Sequence, residues 1–214
     1  AGIAQTLGRL SGFIRDVVFA SVFGASGTAD AFYVAFRVPN LFRELLAEGT
    51  LSNVFVPLFA ETSEKESVER AWALANAVLG LLLVVLGLIT LLIYLASEPL
   101  VLLVASGFTE TPGKVALAAW LTRLLAPFLA GISVASLFGG MLNVRGRFFL
   151  PAIAPALLNI AIIVAAILGD QWAEVTGTPA IGAVAVAATV GYVALLLAAV
   201  LWIATRRYRP GTAS

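Results

Sequence analysis

Eight charged residues crowd the stretch Arg9–Pro57: Arg9, Arg15, Arg37 and Arg43, with Asp16, Asp30, Glu44 and Glu48. The sequence around them is otherwise apolar enough for lipid. A charge at membrane depth costs roughly 2.5–3.5 kcal/mol even on insertion scales, so such residues face a bundle interior or a watery hollow. At 100° per residue, Asp30, Arg37, Glu44 and Glu48 share one helix face, and Arg43 lies roughly 140° away. Arg9 and Asp16 share a face of the preceding helix, and Arg15 points elsewhere. Two readings stand. Either the arginines line a groove that contacts a ligand, or opposite charges pair internally and hold a bundle together, with Arg9 snorkelling toward the cytoplasm. Covalent chemistry is not indicated. The chain has no His or Cys to supply a base or a thiolate, and no GxxxxGK[ST] phosphate loop. It is not expected to be an enzyme, to hold a metal or cofactor, or to bind nucleic acid.

The elements that must carry these charges are membrane helices. Of 214 residues, 61% are hydrophobic and 12% charged, with a mean hydropathy of +1.02. Soluble domains are about a quarter charged. About 20 apolar residues span the hydrocarbon layer, and the pattern predicts an all-α integral membrane fold with six such helices. They are expected at 2–24, 30–60, 71–96, 113–143, 151–168 and 179–205. The chain opens already apolar, so it is expected to begin inside its first helix, with no signal peptide. The turn after that helix has Thr28 as an N-cap. The second is too long for one straight span, and Val38-Pro39-Asn40 is expected to break it. The polar run Glu61–Arg70 is expected to be a solvated segment outside the membrane. Leu100–Phe108 is too short to span and reads as interfacial. Residues 169–178 read as an acidic turn.

The distribution of basic residues sets the orientation. Lys65, Arg70, Arg145, Arg147, Arg206, Arg207 and Arg209 fall in loops on one side, against Lys114 alone on the other. Both ends of the segment are therefore expected in the cytoplasm. Gly8 and Gly12 form a GxxxG flanked by Ser11, which reads as close helix packing. Arg123 reads as an anchor near the outer face, and Asn159 as a bond between helices. Arg145 and Arg147 are either a topology signal or contacts to lipid phosphates.

The runs GRLSGFIRD (8–16) and DAFYVAFRVPNLFRELLAEGTLSNVFVP (30–57) resemble the amino-terminal signature of the MurJ (MviN) family, the lipid II flippases of bacterial peptidoglycan synthesis. LVASGF (103–108) and LNVRGRFFLPAIAPALLNI (142–160) also fit, so the resemblance covers essentially the whole chain. The family belongs to the MOP superfamily, with multidrug extruders of the MATE type and O-antigen flippases. The resemblance implies one six-helix lobe of a two-lobed, MATE-like transporter in the bacterial inner membrane, with a central cationic cavity. A second lobe, absent from this chain, is expected from a continuation or a partner. Lipid II, membrane lipids and other cell-wall synthesis proteins are the implied partners. Arg9, Arg15 and Arg43 fall on the family's important arginines and Asp30 on its helix-two acid. Arg37 sits where Lys or Arg is allowed, and Glu44 departs from members with a base there.

Arginine suits a diphosphate because its planar fork donates several directed hydrogen bonds and stays charged. Diphosphate contact is accordingly expected from Arg9, Arg15 and Arg43, with Arg37. Asp30 would orient an arginine or sense an ion, with Asp16 and Glu48 also in the cavity. Gly24, Gly27 and Pro39 are the expected hinges for alternating access. The alternatives are a multidrug or polysaccharide-lipid exporter of the same superfamily, and a non-transporting membrane scaffold.

Overall fold

A computed structural model describes residues 2–24, 26–44, 54–144, 146, 149–192 and 194. Regular structure among the described residues is entirely helical. The helices are α1 (Gly2–Phe23), α2 (Gly27–Arg43), α3 (Val56–Lys65), α4 (Val68–Leu95), α5 (Ser97–Val104), α6 (Lys114–Val144), α7 (Phe149–Ile167), α8 (Gly169–Thr176) and α9 (Ile181–Tyr192). A 3-10 turn, Ser106–Glu110, links α5 to α6.

The apolar pattern explains the arrangement. Helix α6 is apolar all round and is the post on which the others pack: α2, α3, α4 and α5 all lie against it. A helix without a polar face belongs in an interior. Helix α1 packs chiefly on α7. One core gathers Phe19, Phe32, Leu125, Phe128, Ile162 and Val184 from α1, α2, α6, α7 and α9. A second gathers Val38, Phe59, Leu86, Ile93, Leu129 and Leu137 from α2, α3, α4 and α6.

Helix α4 is different. It is strongly apolar, yet Leu81, Val84, Leu88 and Leu95 are exposed. An apolar helix left so bare belongs against lipid. By length and composition α4 and α6 suffice to cross a membrane, and Pro155–Ile167 with Gly169–Thr176 makes a third span if that pair, bent by 63°, is taken as one. Helix α2 has 17 residues, and α1 carries Arg9, Arg15 and Asp16.

Several expectations change. The second helix starts at Gly27, not Asp30, because Ser26 rather than Thr28 caps it: its side chain accepts the Ala29 N–H at 3.3 Å. Instead of a single element over 30–60 there are α2 and α3, and residues 45–53 lie outside the described residues. Helix α2 also runs unbroken through Pro39 to Arg43. Proline removes one backbone bond, which a helix tolerates where neighbours hold it; Val38 and Pro39 are both buried. The run 61–70 is largely helical. The Lys65–Glu61 pair at i,i+4 supports the end of α3, and the chain turns at Glu66–Ser67, a break that the Arg70–Glu66 pair bridges. Residues 169–176 form α8 rather than a turn; it ends at Gly177, whose φ of 66° is the left-handed conformation of a helix stop. Of the sixth helix, Ile181–Tyr192 is described, while Arg206, Arg207 and Arg209 lie outside the described residues, as do Arg145 and Arg147.

Candidate functional site: an arginine-lined cavity

Helices α1, α2, α6, α7 and α9 line an open cavity of about 580 Å³. Helix α2 contributes Tyr33, Phe36, Arg37, Asn40, Arg43 and Glu44; α1 contributes Gly12 and Arg15; and α7 contributes Pro155, Leu158 and Asn159. Phe128 and Ile132 of α6 and Tyr192 of α9 close the far side. The lining thus holds three guanidinium groups and one carboxylate. The opposite wall is aromatic, with Phe128 packed 5.2 Å from Phe36 and 4.9 Å edge-on to Tyr192, centroid to centroid.

The α2 wall follows from its sequence. Positions 33, 36/37, 40 and 43/44 recur every three to four residues, so a broad strip of the helix faces the hollow. This brings Arg43 in beside Arg37 and Glu44, although the angular argument set it apart. No rotation at Pro39 is needed. Asn40 sits on the same strip and donates its side-chain N–H to the Phe36 carbonyl at 2.9 Å.

Arg15 is held on two edges of its guanidinium. Its Nε and Nη2 donate to Asp16 Oδ1 at 2.9 and 2.7 Å. Its Nη1 donates to Asn159 Oδ1 at 3.0 Å, and Asn159 Nδ2 in turn donates to Ser11 Oγ at 3.0 Å. Gly12 lies at this approach of α1 to α7, where a Cβ would meet Asn159 Nδ2 at 3.6 Å, an ordinary contact, so the packing does not depend on a glycine. The Asn159 link between helices is therefore present, and it falls at the cavity wall.

The remaining residues singled out in the sequence are dispersed. Arg9 is exposed on α1 and is not among the cavity-lining residues. Asp16 is exposed beside Arg15. Asp30 is paired with a lysine rather than an arginine: Lys114 Nζ lies 2.8 Å from its Oδ2 and 4.3 Å from the centre of the Phe108 ring. This pair ties the start of α2 to the start of α6. Gly27 lies beside it, 3.8 Å from Lys114 Cε by its would-be Cβ, and Gly24 adopts a φ of 60°. Pro39 is buried inside α2. Glu48 lies outside the described residues. Arg123 donates to Ser97 Oγ at 2.8 Å, joining α6 to α5.

Sequence reasoning missed the aromatic wall and Asn40. The recurrence of Tyr33, Phe36 and Asn40 with Arg37 and Arg43 was a usable signal. Phe128 and Tyr192 gave none, because they come from helices far apart in the chain.

Comparison with known proteins gives the family. The family model described as lipid II flippase MurJ matches residues 19–210. A probable lipid II flippase MurJ of Rhizobium meliloti (strain 1021) is 40% identical over 206 residues, covering 94% of this chain and 37% of the relative. One from Thermotoga maritima is 38% identical over 205 residues, covering 94% of this chain and 39% of the relative. The lipid II flippase MurJ of Burkholderia cenocepacia is 40% identical over 161 residues, covering 75% of this chain and 31% of the relative. A solved structure of lipid II flippase MurJ in an inward closed conformation superposes with a TM-score of 0.78 at 25% identity, over 99% of this chain and 43% of that one. The chain thus spans well under half the length of the relatives it matches. It belongs to the MurJ family of lipid II flippases.

Proposed function

We propose that this chain is the amino-terminal, six-helix lobe of a lipid II flippase of the bacterial cytoplasmic membrane, and that its arginine-lined cavity receives the diphosphate of the substrate. The observation that carries the reading is the convergence of Arg15, Arg37 and Arg43, from two different helices, on one hollow of about 580 Å³. A lipid-linked sugar diphosphate needs a polar pocket for its head while its tail stays in lipid. Guanidinium groups supply directed N–H donors and a charge that persists away from water. The reaction makes and breaks no covalent bond. The protein exposes the cavity to one leaflet and then the other, and a second lobe completes the wall.

In this reading α1, α2, α4, α6, α7 with α8, and α9 belong to the six spans of a MATE-like lobe. Both ends of the segment lie in the cytoplasm, in accord with the seven basic residues assigned to that side. Arg9, exposed and outside the cavity wall, snorkels toward the cytoplasmic headgroups. Asp30 and Lys114 clamp the outer ends of α2 and α6, with Gly24 and Gly27 as the adjoining hinge. Pro39 lets α2 flex without breaking.

The test separates the geometry of the guanidinium from its charge. In the complete protein, Arg15→Lys and Arg43→Lys keep the charge but replace a planar fork with a point donor on a flexible stem. Outer-leaflet lipid II is measured at matched expression. Partial transport at best is expected from either variant; full transport in both would refute directed diphosphate recognition by these residues.

A further inference from the structure

We propose that Asn159 is a positioning residue that sets the plane of the Arg15 guanidinium for ligand binding. The inference rests on the diphosphate reading of the cavity and adds to it a residue 144 positions along the chain from Arg15. Asn159 is 5% exposed and sits inside apolar α7. A buried amide in such a helix needs partners. Its two arms have distinct ones: Oδ1 accepts from Arg15 Nη1, and Nδ2 donates to Ser11 Oγ. Chemistry fixes this orientation, since a guanidinium only donates and the flipped amide would set donor against donor at Arg15.

The effect falls on Arg15. Asp16 alone grips one edge of the guanidinium through a single oxygen, and Asp16 is itself solvent-exposed on the same helix. That grip belongs to the same helix and moves with it. Asn159 adds a buried acceptor on the second edge, from a different helix, and is itself pinned by Ser11. Of five guanidinium N–H bonds, Asp16 and Asn159 take three. One on each terminal nitrogen remains beside the cavity. Two fixed acceptors on two edges hold those remaining donors in a set direction before any ligand arrives, which reduces the ordering that binding must supply.

The test is a double-mutant cycle on the complete purified protein, titrated calorimetrically with inorganic diphosphate. Asn159→Leu keeps bulk and removes the acceptor. It is expected to weaken diphosphate binding about tenfold, or about 1.4 kcal/mol, with the thermal midpoint read on the same samples. In an Arg15→Ala background the same change is expected to have no further effect on binding. A residue that merely packs would weaken binding equally in both backgrounds. If Asn159→Leu does not accumulate, Ser11→Ala, which removes one hydrogen-bond partner of the Asn159 amide, carries the same cycle with an expected loss of about threefold. Additive losses, or no loss from Asn159→Leu while Arg15→Ala weakens binding, would overturn the role of Asn159 and leave the diphosphate reading standing. No loss from Arg15→Ala itself would overturn both.

Discussion

Arg15→Ala separates what holds the bundle from what holds the ligand, because its two partners are in unlike surroundings. Asp16 is 60% exposed on its side chain and Asn159 is 5% exposed. Losing the arginine leaves the Asp16 carboxylate outside the protein interior, where no neighbouring side chains bury it. It leaves the Asn159 carbonyl buried and without its Arg15 bond, and a buried group stripped of a hydrogen bond costs about 1–3 kcal/mol. The stability loss should therefore be about 1–3 kcal/mol and should trace to Asn159. Adding Asp16→Ala should recover little of it. Adding Asn159→Leu should recover most, since replacing both partners with apolar groups is close to neutral. Transport should return in neither double variant. The assay is the thermal midpoint of the purified protein together with outer-leaflet lipid II in cells at matched expression. The rival account, in which Arg15 serves only to neutralise Asp16, forecasts that Arg15→Ala with Asp16→Ala restores both stability and transport. That result would refute the reasoning.

Three further outcomes are expected. Arg123→Ala, which removes the bond to buried Ser97 on the far side of α6, should leave transport near wild type and lower stability by about 1–3 kcal/mol; a transport assay at matched expression with the thermal midpoint checks it. Gly182→Ala would put a Cβ into the Trp120 ring where α9 meets α6. Overpacking of this kind costs about 1–3 kcal/mol, read as a lowered thermal midpoint that Trp120→Leu should partly restore. Cysteines introduced at Ser26 and Thr176 should react with an impermeant thiol reagent from outside intact cells, and one at Ser63 should not.

What could be read from the sequence divides by the range of the interaction that decides it. The extents of α1 and α4 were legible because turn residues or charges bound long apolar runs: GASG after Phe23, and Glu98-Pro99 after α4. The polar segments misled. In 61–65 the Glu61–Lys65 pair supports a helix that composition alone assigns to a loop, and in 169–176 polarity concealed a helix closed by the Trp172, Thr176 and Thr178 hydrogen bonds. The arginines of the site were legible as a group, since charges in such apolar sequence stand out. Their partners were not. Asp30 finds Lys114 across 84 positions and Arg15 finds Asn159 across 144. Nothing local encodes either meeting; both depend on which helices α6 and α7 bring alongside.

The central claim is that the hollow beside Arg15, Arg37 and Arg43 holds the head of lipid II, and photocrosslinking tests it most directly. A photoreactive amino acid is placed at Tyr33, which lines the cavity, or at Leu88 on the exposed apolar face of α4. The complete protein is then irradiated in membranes that contain lipid II with a radiolabelled peptide head. Label is expected on the Tyr33 variant, strongly reduced when Arg15 and Arg43 are also changed to Ala, and absent from the Leu88 variant. Label on the Leu88 variant with none at Tyr33, or label at Tyr33 indifferent to the two arginines, would contradict the account.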